Sequence, residues 1–258
     1  MTTTRLSRRA WLAGGSGLLL APWLAANSFA SDEMDPGYDD FFSFELPDDT
    51  RPQGVQPALD EEEAEARRIM QAAPRGSTPR DVLVYFAGLT TTNRDGHAYN
   101  AGWPTRWNPV IVNFFTQTRT RPSGDTTPWC AACLNWALMH AGYRGTNSAS
   151  SGSFRNAPGL GQRGAVADLI ERARTDSPVP GDIAVWRETD VERARLGRGH
   201  VGIFLARETR NGQNGIVVLG GNQGRQRSGH SRIRESFFPD EQPSLVFDRY
   251  LSIAAMRA

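Results

Sequence analysis

Helical patterning fills the first half of the chain and strand patterning the second, the order expected of an α+β fold. Two Xaa-Pro helix openings, an apolar cysteine-bearing helix in mid-chain and four β-rich runs after Pro178 carry that assignment. A chain of 258 residues has room for one domain of roughly 200 residues with extensions.

The elements follow in order. From Asp60 to Ala73, acids come first and Arg67 and Arg68 late, as a helix dipole favours. Thr78-Pro79 opens a second helix through Val82, Leu83, Tyr85 and Phe86. Asn108-Pro109 opens a third through Val110, Ile111, Phe114 and Phe115. Proline in a first turn forfeits no bond, because that amide has no helical partner. Residues 90–103 form a polar and aromatic loop between them. A fourth helix starts near Trp129 and runs to His140, ending at Gly142. Asp125, Thr126 and Thr127 are suited to cap it, and Pro128 pre-sets its first turn. A long loop rich in Ser, Gly and Asn spans 144–163, and Gly164 to Ala173 forms a short helix. Strands are predicted at Gly181–Trp186, His200–Ala206, Ile216–Gly221 and Leu245–Ile253. The chain shows no internal repeat.

The formal charge of +1 is unevenly spread. Residues 1–31 carry three arginines and no acid. Residues 32–63 carry twelve acids and one arginine, and 64–258 carry 25 arginines and 16 acids, a body at +9. All 29 cationic side chains are arginines, which reads as genomic bias rather than as a mechanical device. A basic body suits an acidic partner. The arginines are scattered and no nucleic-acid motif accompanies them, so nucleic acid is not the expected partner. A wall polymer whose peptide stems bear free carboxylates fits the charge. The acidic stretch 31–63 reads as a flexible leader, with an acidic tether favoured over a segment that masks the body.

The N-terminus reads as a twin-arginine signal peptide over residues 1–30. Arg8 and Arg9 precede an uncharged apolar run from Ala10 to Ala26, and Ser28-Phe29-Ala30 supplies small residues for cleavage. Gly14, Gly15, Gly17 and Pro22 interrupt the run, which favours a cleaved signal over a membrane anchor. A periplasmic or secreted protein without stable membrane insertion follows.

Cys130 and Cys133 are the two cysteines. A bridge three residues apart would close too short a loop to stabilise the fold. A redox pair, a metal site, or a reactive thiol with a bystander remain. Cys130 sits in the opening turn of its helix, where the dipole should lower a thiol pKa and free amides could hold an oxyanion. The bland alternative is a buried core cysteine. Of the four histidines, His200 is best placed to serve as base: it opens the strand G-H-V-G-I-F after a glycine-rich loop. His97, His140 and His230 read as surface residues. In L-G-G-N-Q, Asn222 could fix the imidazole tautomer, and the same residues also suit a plain turn.

P-W-C-A-A-C-L-N-W, P-G-D-I-A-V-W, G-H-V-G-I-F and L-G-G-N-Q, in that order, resemble the CHAP-type and NlpC-type peptidoglycan amidases and endopeptidases. The resemblance covers about residues 125–225. It implies a papain-like fold with the cysteine helix packed on an antiparallel sheet, and a cofactor-free, metal-free hydrolase acting on peptidoglycan as a monomer. It places Cys130 on the nucleophile, His200 on the base and Asn222 on the orienting position, with Trp129 and Gln223 beside the substrate. Two positions depart from the pattern. Cys133 stands where relatives often carry an aromatic, and Gly220 where many carry an acid. The alternatives are an inactive wall-binding domain of the same fold and a periplasmic dithiol protein using Cys130 and Cys133.

Overall fold

The computed structural model describes residues 56–122, 124–224 and 231–257. The expected signal peptide, the leader as far as residue 55, and His230 lie outside the described residues.

Six α-helices occur among them: α1 Asp60–Ala72, α2 Pro79–Ala87, α3 Pro109–Phe114, α4 Cys130–His140, α5 Ala165–Ala173 and α6 Val191–Arg195. The strands are β1 Arg174–Thr175, β2 Ile183–Glu188, β3 Gly199–Arg210, β4 Gln213–Gln223, β5 Arg232–Pro239 and β6 Leu245–Leu251. They form one sheet in the order β1-β6-β2-β3-β4-β5, with every neighbouring pair antiparallel. The α+β class read from the sequence holds.

The helix openings follow from local chemistry. Thr78 and Asp81 form a reciprocal capping box ahead of Pro79, and the Asn108 side chain accepts from the Val110 amide ahead of Pro109. Acids Asp60 to Glu63 are the first turn of α1, so the leader boundary set by charge at residue 63 falls inside a helix. Glu62 in that turn is buried and accepts from the Leu59 amide, from Asn93 and from Arg106 at 2.8 Å. That ion pair ties α1 to the loop before α3.

Strand alternation divides the sheet into two faces. Ile183, Val185, Val201, Ile203 and Leu219 pack with Ala131, Leu134, Ala137 and Leu138 of α4 in the main core. Ala184, Trp186, Phe204, Ile216, Val218 and Tyr250 form a second cluster on the outer face, with Phe238 and Phe247 against it. In P-G-D, the buried Asp182 accepts from the Val179 amide at 2.9 Å and the Ile253 amide at 2.8 Å, fixing where β2 begins.

One capping expectation is corrected. Trp129 holds the N-cap position of α4 with no side-chain bond. Asp125 instead turns inward, and its Oδ2 accepts from the Trp103 amide at 2.9 Å and the Asn108 amide at 2.8 Å. The carboxylate thus pins the segment before α4 to the loop before α3. Burial pushes its pKa up to about 6 although backbone amides pull it down. The folded value lies above the unfolded one. Asp125 therefore contributes most to stability below pH ~4, and that contribution is lost as pH rises through about 6. Asp125→Asn keeps an oxygen for both amides and removes the charge. Its Tm relative to the native protein should rise between pH 4 and pH 7, equivalent to about 3 kcal/mol. A difference that does not change with pH would show that the buried charge costs nothing.

Candidate active site

Helix α4 meets the sheet at Gly221. A side chain there would lie 2.8 Å from Cys133 Cβ and would overlap the Trp129 ring. The bare backbone lets the helix start press onto β4. Trp129 is 1 % exposed, stacked on Phe114 with ring centres 6.3 Å apart. The structure places Trp129, expected beside the substrate, within the core that holds the helix start. Cys133 is fully buried in the same contact, and both cysteines are free thiols.

The closeness of α4 delivers the Cys130 sulfur to β3. The Cys130 sulfur lies near the backbone amides of Val201, Ala131 and Cys130. Cys133 N–H makes the first helical bond, to Trp129 O at 2.9 Å, so the preceding amides of the turn are left for the sulfur or for a ligand.

His200 is the residue before Val201. Its ring lies on the outer face, stacked on Phe238 at 5.0 Å and tilted against Trp186 at 6.1 Å. Val201 faces the main core with Cys130 and the His200 ring faces the outer cluster. The two residues thus meet at the start of β3, and no hydrogen bond joins thiol and imidazole among the described residues. The polar partner of the imidazole is Gln223, 3.3 Å from His200 Nε2. Asn222, the residue expected to orient the ring, adopts a left-handed backbone with φ of 56° and turns the strand so that Gln223 faces His200. Of the five residues singled out in the sequence, the structure brings His200 and Gln223 into contact and sets Cys130 near the backbone of Val201, the residue after His200. Trp129 backs them, and Asn222 serves as a turn.

The loop that presents His200 is clamped from behind. Ser150 and Ser151 hydroxyls donate to Gly197 O at 3.0 and 3.2 Å, and the Gly152 amide does so at 2.8 Å. A side chain on Gly152 would overlap the Gly197 backbone, and one on Gly199 would overlap Trp186 O. The clamp is itself anchored on α4. Buried Asn135 donates to Ala131 O at 3.0 Å and Ser148 O at 2.8 Å, and accepts from the Thr146 amide at 2.6 Å. Sequence reasoning missed this set. The long loop 144–163 looks in sequence like an ordinary surface excursion, and its tie to Asn135 within C-L-N-W spans 11 to 13 residues.

Burial governs the electrostatics. It pushes the Cys130 thiol up to about 11, although the Val201, Ala131 and Cys130 amides pull it down, and it pushes His200 down to about 4. The lowered thiol pKa expected from the helix start is thus overturned: removing a thiolate from water outweighs the dipole and the amides. At neutral pH the resting pair is a neutral thiol and a neutral imidazole. Burial also raises the Cys133 thiol, with Cys130 adding to it. Among the described residues no cluster of three or more His, Cys, Asp or Glu is placed to hold a metal ion.

Residues 122–222 match the family model of the CHAP domain. The resemblance read from the four motifs is thereby shown, and the antiparallel sheet under α4 is the papain-like arrangement it implied. CHAP domains are generally cysteine- and histidine-dependent amidohydrolases or peptidases of peptidoglycan. The CHAP match contains Cys130 and His200 and ends one residue short of Gln223. No curated protein and no solved structure matches the chain.

A neutral resting pair has a measurable consequence. In Cys133→Ala, which leaves one thiol, alkylation of Cys130 by iodoacetamide should keep accelerating above pH 8.5, the ordinary thiol value. A rate already at its plateau at pH 6 would instead reveal a preformed thiolate–imidazolium pair.

Proposed function

We propose that this protein is an exported cysteine hydrolase that cleaves amide bonds in peptidoglycan, with Cys130 as nucleophile and His200 as general base. The observation that carries the reading is the CHAP-type match over residues 122–222, which holds both Cys130 at the start of α4 and His200 at the start of β3.

The chemistry follows from the atoms available. With a substrate carbonyl seated over the α4 turn, His200 takes the Sγ proton as sulfur bonds to the carbonyl carbon. The negative charge passes to the carbonyl oxygen, where amides at the start of α4 can donate to it. Collapse breaks the C–N bond, and the leaving amine takes the proton from His200. A water molecule, deprotonated by the same imidazole, then attacks the thioester, releasing a carboxylate and restoring the thiol. Starting from neutral partners suits this sequence, since the proton moves only as the S–C bond forms. Catalytic hydrogen bonds are often long in unliganded enzymes and tighten when substrate is bound.

The paired arginines before the apolar run support export by the twin-arginine route to the periplasm or beyond, and the +9 charge of residues 64–258 supports attraction to the carboxylates of peptide stems. The target is the N-acetylmuramoyl-L-alanine amide or a bond within the stem, acted on by a monomer that needs no cofactor.

Purified peptidoglycan is the substrate for the test, with mass spectrometry of the released fragments. The native enzyme should generate new amine and carboxylate ends. His200→Ala should lower kcat by roughly 100- to 10,000-fold and Cys130→Ala at least as much, with unchanged circular dichroism. Undiminished release by either folded variant would end the proposal.

A further inference from the structure

Gln223, and not the motif residue Asn222, stands against the imidazole, and its surroundings specify one orientation of its amide. Turned so that Oε1 faces the ring, Gln223 makes four bonds. Its nitrogen donates to Arg234 O at 2.7 Å and to Ser236 Oγ at 2.8 Å. Its oxygen accepts from His200 Nε2 at 3.3 Å and from the Gly220 amide at 3.2 Å. In the opposite orientation the amide nitrogen faces Nε2 at the same distance and these pairings are lost. At 2 % exposure, the choice between four bonds and their loss is decided by burial.

We infer that Gln223 is the positioning residue of the site: it accepts a hydrogen bond from His200 Nε2–H and so leaves Nδ1 as the unprotonated nitrogen, the one available to take a proton in the proposed reaction. This deepens the hydrolase reading and rests on it for the role of the thiol.

Two features explain how a residue outside the family match came to occupy this position. A side chain on Gly220 would lie 2.8 Å, and one on Gly202 3.4 Å, from the Gln223 amide atom that faces the ring. The two glycines therefore vacate the volume that Gln223 fills, and Gly220 is the position at which the resemblance expects an acid. Asn222 supplies the second feature. Its left-handed backbone shifts the pairing of β4 with β5 between Gly220 and Gln223, which swings residue 223 to the outer face where the imidazole lies. An amide suits the place and a carboxylate does not, because the atom facing Arg234 O must donate.

The experiment reads the tautomer directly. In the full chain with 15N-labelled histidine at pH 7, long-range 1H–15N correlations report which ring nitrogen of His200 carries the proton. The resonance is assigned by its loss in His200→Gln. The native protein should show Nε2–H. Gln223→Ala should show a mixture of tautomers, with kcat on peptidoglycan reduced roughly 10- to 100-fold and KM little changed. Asn222→Gly, which keeps the left-handed backbone, should retain the native tautomer and lose less activity than Gln223→Ala. A native Nδ1–H tautomer overturns the inference even if Gln223→Ala fails to fold. So does an unaltered tautomer in Gln223→Ala, or an altered one in Asn222→Gly. The expected tautomers in a protein that releases nothing from peptidoglycan would support the positioning role while the hydrolase reading fails, so the two are judged separately.

Discussion

The whole site depends on how closely α4 approaches β4 at Gly221. Helices usually stand off a sheet by the length of the intervening side chains. Here the sheet contributes no side chain at the contact, and Trp129 and Cys133 rest on bare backbone. That approach sets the sulfur of Cys130, the first residue of α4, near the backbone of Val201. It also accounts for the second cysteine, since Cys133 Cβ already touches the space above Gly221 and a bulkier residue would lift the helix away. The thiol of Cys133 is then a small apolar filler of that contact.

The same closeness sets the electrostatics. A helix start that presses into a sheet excludes water, and the loss of hydration dominates the amides and dipole that would otherwise favour a thiolate. His200, enclosed by Phe238 and Trp186, loses its charged form for the same reason. Two neutral groups in a dry setting store no ion-pair energy, so the cost of separating charge falls on the reaction step. Low resting reactivity towards general electrophiles is the natural companion of this arrangement.

What the sequence made legible divides along the reach of the interactions. Helix starts at Pro79 and Pro109 could be read because their caps act within three residues. The α+β order, Cys130 at a helix start and His200 at a strand start could be read because each depends on local pattern. Strand β5 went unread: Ile233 is its only buried residue, and the arginines and acid around it hide the alternation at the sheet edge. Asp125 looked like a cap, because Asp before an apolar run usually is one, and the competing amides of Trp103 and Asn108 come from 17 to 22 residues away. The orientation of Gln223 required a left-handed Asn and two distant glycines to be known together.

Loop 144–156 shows why a papain-like site can rest on so few polar contacts. Asn135 fixes the loop to α4, and Ser150, Ser151 and Gly152 fix Gly197 to the loop. Gly197 lies three residues before His200, so the helix that carries Cys130 also positions the strand end that carries His200. The second route between them runs through the sheet, from Gly221 under α4 to Gln223 against the imidazole. Thiol and imidazole therefore belong to one mechanical loop closed on both sides. That loop fixes the relation of two groups that share no direct bond, and it leaves no room for a side chain at Gly152, Gly197, Gly199 or Gly221.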